Sequence, residues 1–158
     1  SIAEHDAVAT CRNVTDTVGK VKQTQAELLF ETSLEELYIE TDDSRLQQVL
    51  INLLINATKF TPDGSITLKL EKQSEKMALF SVTDTGCGIP KEKQASIFQR
   101  FEKLDENAQG SGLGLSICQL IIEHIGGKIW IDPDYTGGSR FVFTHPIHQT
   151  RNNSKKED

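Results

Sequence analysis

Apolar residues recur along this chain with two periods, and the switches between them mark its elements. Val8, Cys11, Val14, Val18 and Val21 stand at helical spacing and predict a first helix. Glu27-Leu-Leu-Phe-Glu-Thr and Glu36-Leu-Tyr-Ile-Glu are short runs of strand character. Asp42-Asp43-Ser44 is a helix-start signal, because short polar side chains can accept from the first free backbone N–H groups. Leu46, Val49, Leu50, Leu53, Leu54 and Ala57 then form one wide apolar face, and Thr61-Pro62-Asp63-Gly64 stops that helix in a turn.

From Ser65 the period changes to two. Ile66, Leu68 and Leu70 alternate with polar residues over Ser65–Glu71, the pattern of a half-buried strand. A second strand runs from Met77 to Val82 and rises into Asp84, with the Ser74-Glu75-Lys76 turn making the two a hairpin. A long helix is expected to open at Gly112 or Leu113, run through His124 and close at Gly126-Gly127. Lys128–Asp132 and Arg140–His145 are the last strands, joined by a turn rich in Pro, Asp and Gly. These elements add up to an α+β fold, a two-layer sandwich with helices on one face of a mixed sheet.

Length and charge narrow the reading. A chain of 158 residues with 37% apolar content fits one domain with an ordinary core. That domain is expected over 1–148, with 149–158 as a polar tail or linker. Net charge is −6, and no Lys/Arg block precedes the tail, so a nucleic-acid surface is not expected. No apolar run reaches the length of a membrane span, so no membrane contact by this domain is expected. Cys11, Cys87 and Cys118 are widely spaced, which fits a reducing compartment rather than a disulfide framework or a zinc site. The chain does not begin with Met, which suggests an excised piece of something longer.

The candidate chemistry lies in three motifs. Asn52 and Asn56 are one helical turn apart and share a face. A side-chain amide oxygen suits a hard cation such as Mg²⁺, and Lys59 follows within a turn as a point charge for phosphate. Asp84-Thr-Gly86-Cys-Gly88-Ile-Pro90 places a carboxylate at a strand end. A carboxylate only accepts hydrogen bonds, so it can take the exocyclic amino proton of adenine and reject the oxygen of guanine. Gly86 and Gly88 keep side chains away where the backbone turns beside the base. Gly110-Ser-Gly112-Leu113-Gly114 leads into a helix, whose free N–H groups favour phosphate. Each motif alone is common; the three in this order describe a nucleotide pocket.

These residues resemble the catalytic, ATP-binding domain of sensor histidine kinases, within the gyrase, Hsp90, histidine kinase and MutL ATPase superfamily. The motif from Asn52 to Phe60 matches the N box of that family, Asp84–Pro90 its G1 box and Gly110–Ser116 its G2 box. Ile97-Phe98-Gln-Arg100-Phe101 is similar to its F box, and Gly137-Gly138-Ser139-Arg140-Phe141 to its final glycine motif. The resemblance covers about Ala9 to Pro146. It implies the Bergerat-type ATP-binding fold and the cofactors ATP and Mg²⁺, with Asn56 as metal ligand. Asn52, Asn56, Lys59, Phe60, Asp84, Gly86, Gly88, Gly110, Gly112, Leu113 and Gly114 would bind the nucleotide. The ATP lid would be Glu102–Gln109; it is short, its one basic residue is Lys103, and Leu104–Gly110 is expected to be mobile without nucleotide. Arg100 and Lys103 are the candidates to reach phosphates from this side.

The function implied is that of a two-component sensor histidine kinase. The domain would donate the ATP γ-phosphate to a histidine on a separate dimerisation domain, which then serves a response-regulator receiver domain. It would be cytoplasmic, the intracellular part of a membrane-anchored sensor. The alternatives are a self-contained ATPase of the same superfamily, a Ser/Thr-directed anti-sigma kinase, and a nucleotide-binding interaction module without transfer activity. ATPase relatives carry a glutamate as general base one turn before the metal-binding asparagine, and this chain has Asn52 there, which cannot take a proton. His5-Asp6 lacks the basic residue and proline of a phosphoacceptor motif and lies too near the N box. It reads as a surface histidine, and His124, His145 and His148 as structural ones. There is no P-loop, the glycine spacing is not that of a Rossmann fingerprint, and an apparent calcium loop from Asp132 fails at Phe143.

Overall fold

The computed structural model describes residues 1–99 and 114–149. In chain order the elements are β1 (Ala3–Asp6), α1 (Ala7–Val21), β2 (Glu27–Thr32), β3 (Tyr38–Thr41), α2 (Asp43–Phe60), β4 (Ser65–Lys72) and β5 (Met77–Asp84). They continue with α3 (Lys91–Gln94), α4 (Gly114–His124), β6 (Ile129–Ile131) and β7 (Ser139–Pro146). Five strands form one mixed sheet in the order β2-β4-β5-β7-β6, with β2 parallel to β4 and the other neighbours antiparallel. The expected two-layer α+β sandwich is the fold observed.

The helices start where short acidic residues accept backbone protons. The Asp6 carboxylate takes the Val8 N–H and also the Leu37 N–H, so one side chain caps α1 and pins the approach to β3. Asp42 caps α2 through the Arg45 N–H. The apolar face of α2 is buried along its whole length, from Leu46 to Ala57. Val8, Cys11, Val14 and Val18 of α1 are buried beside it. Val21 is exposed instead of buried, because it is the last helical residue and the chain turns to extended backbone at Lys22.

The sheet supplies the other half of the core by strict alternation. Ile66, Leu68 and Leu70 of β4 and Ala78, Phe80 and Val82 of β5 are buried. Phe80 stands opposite Phe143 in the β5–β7 register, and the two rings stack at 4.6 Å. The same parity brings Asp84, the last residue of β5, onto the apolar side. It is this step of two that puts a carboxylate at the end of the core.

Two features depart from the pattern reading. The run around Glu36–Glu40 is β3, but it pairs with β1 in a separate two-stranded ribbon rather than joining the main sheet. A one-turn helix, α3, follows Pro90; with four residues it is too short to show a period.

The last described residues close on β3. His145 is fully buried, with Nδ1 against the Pro146 carbonyl at 2.7 Å and Nε2 against the Thr41 hydroxyl at 2.8 Å. Gln149 donates its backbone N–H to the Glu40 carboxylate and its side-chain amide to the Glu40 carbonyl. Burial favours the neutral ring and holds the His145 pKa below its ordinary 6.5, partly opposed by the Pro146 carbonyl. Stability from this group is therefore complete above 6.5 and is lost as pH falls toward the lowered value. Thermal unfolding followed from about pH 7.5 to about pH 5.5 should show a falling midpoint, and a His145→Gln variant should show a shallower fall over that window.

Candidate functional site

The site forms where α2 ends, β5 ends and β7 begins. Asp84 is only 3% exposed. Its Oδ1 accepts the Gly86 N–H at 2.9 Å and the Ser139 N–H at 3.1 Å, and its Oδ2 accepts the Ser139 hydroxyl at 2.8 Å. A buried carboxylate without donors would be costly; three donors hold this one in a single orientation. Each carboxylate oxygen has more than one lone pair, so Oδ2 retains acceptor capacity for a further donor such as an amino group.

The turn after Asp84 is closed against α2. The Cys87 N–H donates to the Phe60 carbonyl at 3.3 Å. A Cβ on Gly86 would stand 2.1 Å from that carbonyl, so no side chain fits there. Gly88 has φ +74° and lies against Gly138, whose own Cβ would fall 2.0 Å from the Asp84 carbonyl. Phe60, Asp84, Gly86 and Gly88 are thus brought together, and the final glycine motif joins them through Gly138 and Ser139. The Cys87 thiol is exposed.

Asn52 and Asn56 are both half-buried on α2, and Lys59 is exposed near its end. Asn52 lies against the Cys118 thiol of α4, which also donates to the Val49 carbonyl at 3.8 Å. Burial pushes that thiol up to about 12, with the Asn52 amide opposing. Cys118 therefore stays a neutral thiol, a packing group rather than a nucleophile. Gly114 opens α4, and among the described residues a Cβ there would meet nothing within 4 Å. Arg100, Lys103, Gly110, Gly112 and Leu113 lie outside the described residues, as does the expected lid from Leu104 to Gly110.

Two residues here escaped the sequence reading. Ser139 sat within a motif already noted, but its role is set by register, since it stands opposite Asp84 on the β5–β7 ladder. Thr61, fully buried at the end of α2, has the one buried side-chain hydroxyl without a partner among the described residues. It faces the Gly86 Cα, where an added Cβ would be 2.7 Å away.

The family described as "Histidine kinase-, DNA gyrase B-, and HSP90-like ATPase" matches residues 41–149. The adaptive-response sensory kinase SasA of Synechococcus elongatus is 40% identical over 119 residues, which covers 73% of this chain and 30% of that protein. Among solved structures, the catalytic domain of histidine kinase ThkA superposes with a TM-score of 0.82 at 34% identity, covering 94% of this chain and 99% of that one. ThkA in complex with the response regulator protein TrrA matches with a TM-score of 0.78 at 33% identity, covering 92% of this chain and 42% of that one. This chain belongs to that ATPase family, and within it to the ATP-binding catalytic domains of histidine kinases. It spans less than a third of SasA's length, the part that holds this domain.

Removing the Ser139 hydroxyl leaves the buried carboxylate one donor short. Ser139→Ala should therefore weaken ATP binding by about tenfold in calorimetry, with an unchanged fold by circular dichroism. Wild-type affinity in that variant would mean that the orientation of Asp84 does not depend on Ser139.

Proposed function

We propose that this chain is the ATP-binding half of a two-component sensor histidine kinase, with residues 1–148 as the folded unit and 149–158 as a polar tail or linker. It holds ATP and presents the γ-phosphate to a histidine on a separate dimerisation domain, in the same chain or in a dimer partner. A response-regulator receiver domain is then the next acceptor, and the full-length protein works inside the cell from a membrane anchor. Among the described residues, no helix is long and apolar enough to cross a membrane, so such an anchor would belong to another part of the protein.

The observation that carries this reading is the buried Asp84 carboxylate at the strand end, fixed by Gly86 and Ser139. In this proposal it accepts the exocyclic amino group of adenine. Lys59 supplies positive charge near the phosphates, and Gly86, Gly88, Gly110, Gly112, Leu113 and Gly114 allow close approach of the backbone. Phe60 holds the base-side turn through its carbonyl. Arg100 and Lys103 approach the phosphates from the lid side.

Mg²⁺ fits the donor set at one point, the Asn56 carbonyl oxygen. Among the described residues no group of three His, Cys, Asp or Glu side chains could hold a metal by itself. A cation bound largely through phosphate oxygens and water suits such a site. When bound, Mg²⁺ would neutralise charge on the phosphates. The chain's own residues bind and orient the nucleotide, so the rate gain comes from positioning rather than covalent chemistry.

Asn52 favours transfer over hydrolysis. It stands one turn before Asn56 and lies against a neutral thiol, so no base at this position activates water. The chain incubated alone with γ-labelled ATP should neither label itself nor release phosphate quickly. Adding a separate helical-hairpin domain with an acceptor histidine should give acid-labile label on that partner. Stable label on His5, or rapid phosphate release without a partner, would defeat the proposal.

The two asparagines should also separate. Asn56→Ala should weaken Mg²⁺-dependent ATP binding by about tenfold or more, and Asn52→Ala by less, in a titration of the metal at fixed nucleotide. Equal losses would show that the metal-ligand assignment is wrong.

A further inference from the structure

The loop between β6 and β7 reaches back to Asp84 through a contact outside the motifs. The Tyr135 hydroxyl donates to the Asp84 carbonyl at 3.3 Å. Its ring is held from the other side by Arg140, whose guanidinium carbon lies 4.3 Å from the ring centroid. Arg140 is itself fastened in two directions. Its Nε donates to the Thr83 hydroxyl at 3.0 Å, and its Nη1 donates to the Asp132 carboxylate at 3.4 Å. Thr83 directly precedes Asp84, and Asp132 follows β6, so the guanidinium ties the end of β5 to the start of the loop.

The glycine pair makes room for this arrangement. A Cβ on Gly137 would meet the Tyr135 hydroxyl oxygen at 3.0 Å, and one on Gly138 would meet the Asp84 carbonyl at 2.0 Å. One glycine lets the phenol fold under the loop, and the next lets the loop lie on Asp84. The result is that Asp84, already flanked by Ile66 of β4 and Ser139 of β7 in the sheet, is further held at its carboxylate by Gly86 and Ser139 and at its main-chain carbonyl by Tyr135.

We infer that Tyr135, braced by Arg140, is a positioning residue for base selection. It does not touch the nucleotide; it fixes the peptide from which the Asp84 carboxylate projects. The inference rests on the reading of Asp84 as acceptor of the adenine amino group. A main chain free to shift by a fraction of an ångström would weaken a directional hydrogen bond at the base edge while leaving the phosphate contacts unchanged. Tyr135 should therefore affect discrimination between bases more than affinity for nucleotides in general.

The test compares ATP with inosine triphosphate, which carries an oxygen where adenine carries its amino group. Both are titrated calorimetrically into the full chain and into three variants. Tyr135→Phe keeps the ring and removes only the hydroxyl, so it should fold normally, as thermal unfolding will register. It should lose about three- to tenfold in ATP affinity and much less in inosine triphosphate affinity, so that the ratio of the two shrinks. Arg140→Lys keeps the charge but loses the planar face and fork, and should shrink the ratio in the same sense. Asp84→Asn separates the two levels of the argument. A ratio unchanged from wild type in Asp84→Asn overturns the reading of Asp84 itself. A ratio lost in Asp84→Asn but intact in Tyr135→Phe overturns the role of Tyr135 alone, as does an equal loss for both nucleotides.

Discussion

The rest of the site is arranged around one buried charge. Asp84 occupies an inward position at the end of β5, where the three preceding inward residues are Ala78, Phe80 and Val82. A carboxylate there is tolerable only with donors already in place, and the neighbouring elements provide them. Gly86 must lack a side chain so that the turn can bring its N–H back to Oδ1. Ser139 must stand opposite on β7, and Gly138 must leave space above the Asp84 carbonyl. The mixed sheet matters for the same reason: antiparallel pairing of β5 with β7 fixes which residue faces Asp84.

Much of this was legible in the sequence, and the legible part was the local part. The cap at Asp42, the apolar face of α2 and its stop at Thr61 depend on residues within a few positions of one another, and each was read correctly. The alternation through β4 and β5 did the same, and continued one step it predicts the inward Asp84. The β1–β3 ribbon was not legible, because a four-residue strand has no pattern that names its partner. The parallel pairing of β2 with β4 and the role of Ser139 are likewise matters of register between distant segments. Tyr135 lies in a turn whose composition signals only a turn, and its contact partner is 51 positions away. Arg100, Lys103, Gly110, Gly112 and Leu113 belong to the stretch between the described parts, so their assignment rests on motif alone.

The three cysteines show how one residue type takes on different character within a single fold. Cys11 is buried in α1, and its thiol is pushed far above the ordinary range, mainly by burial and further by Asp6. Cys118 is buried between α2 and α4 and is a neutral packing group beside Asn52. Cys87 alone is exposed, between two glycines of the Asp84 turn. Modification by a thiol reagent is therefore directed to the one position that adjoins the proposed base site.

The ribbon at the far end has a mechanical meaning. β3 is flanked by β1 on one side and by the segment from Ile147 to Gln149 on the other, through Glu40. The first strand and the last described residues are thus laid side by side on the same short strand. The pocket lies at the other end of β5 and β7 from Met77 and Pro146, the pair nearest that ladder. The ribbon and the turn around Asp84 therefore stand at opposite ends of the two central strands, so strain in the one has the full length of β5 and β7 between it and the other.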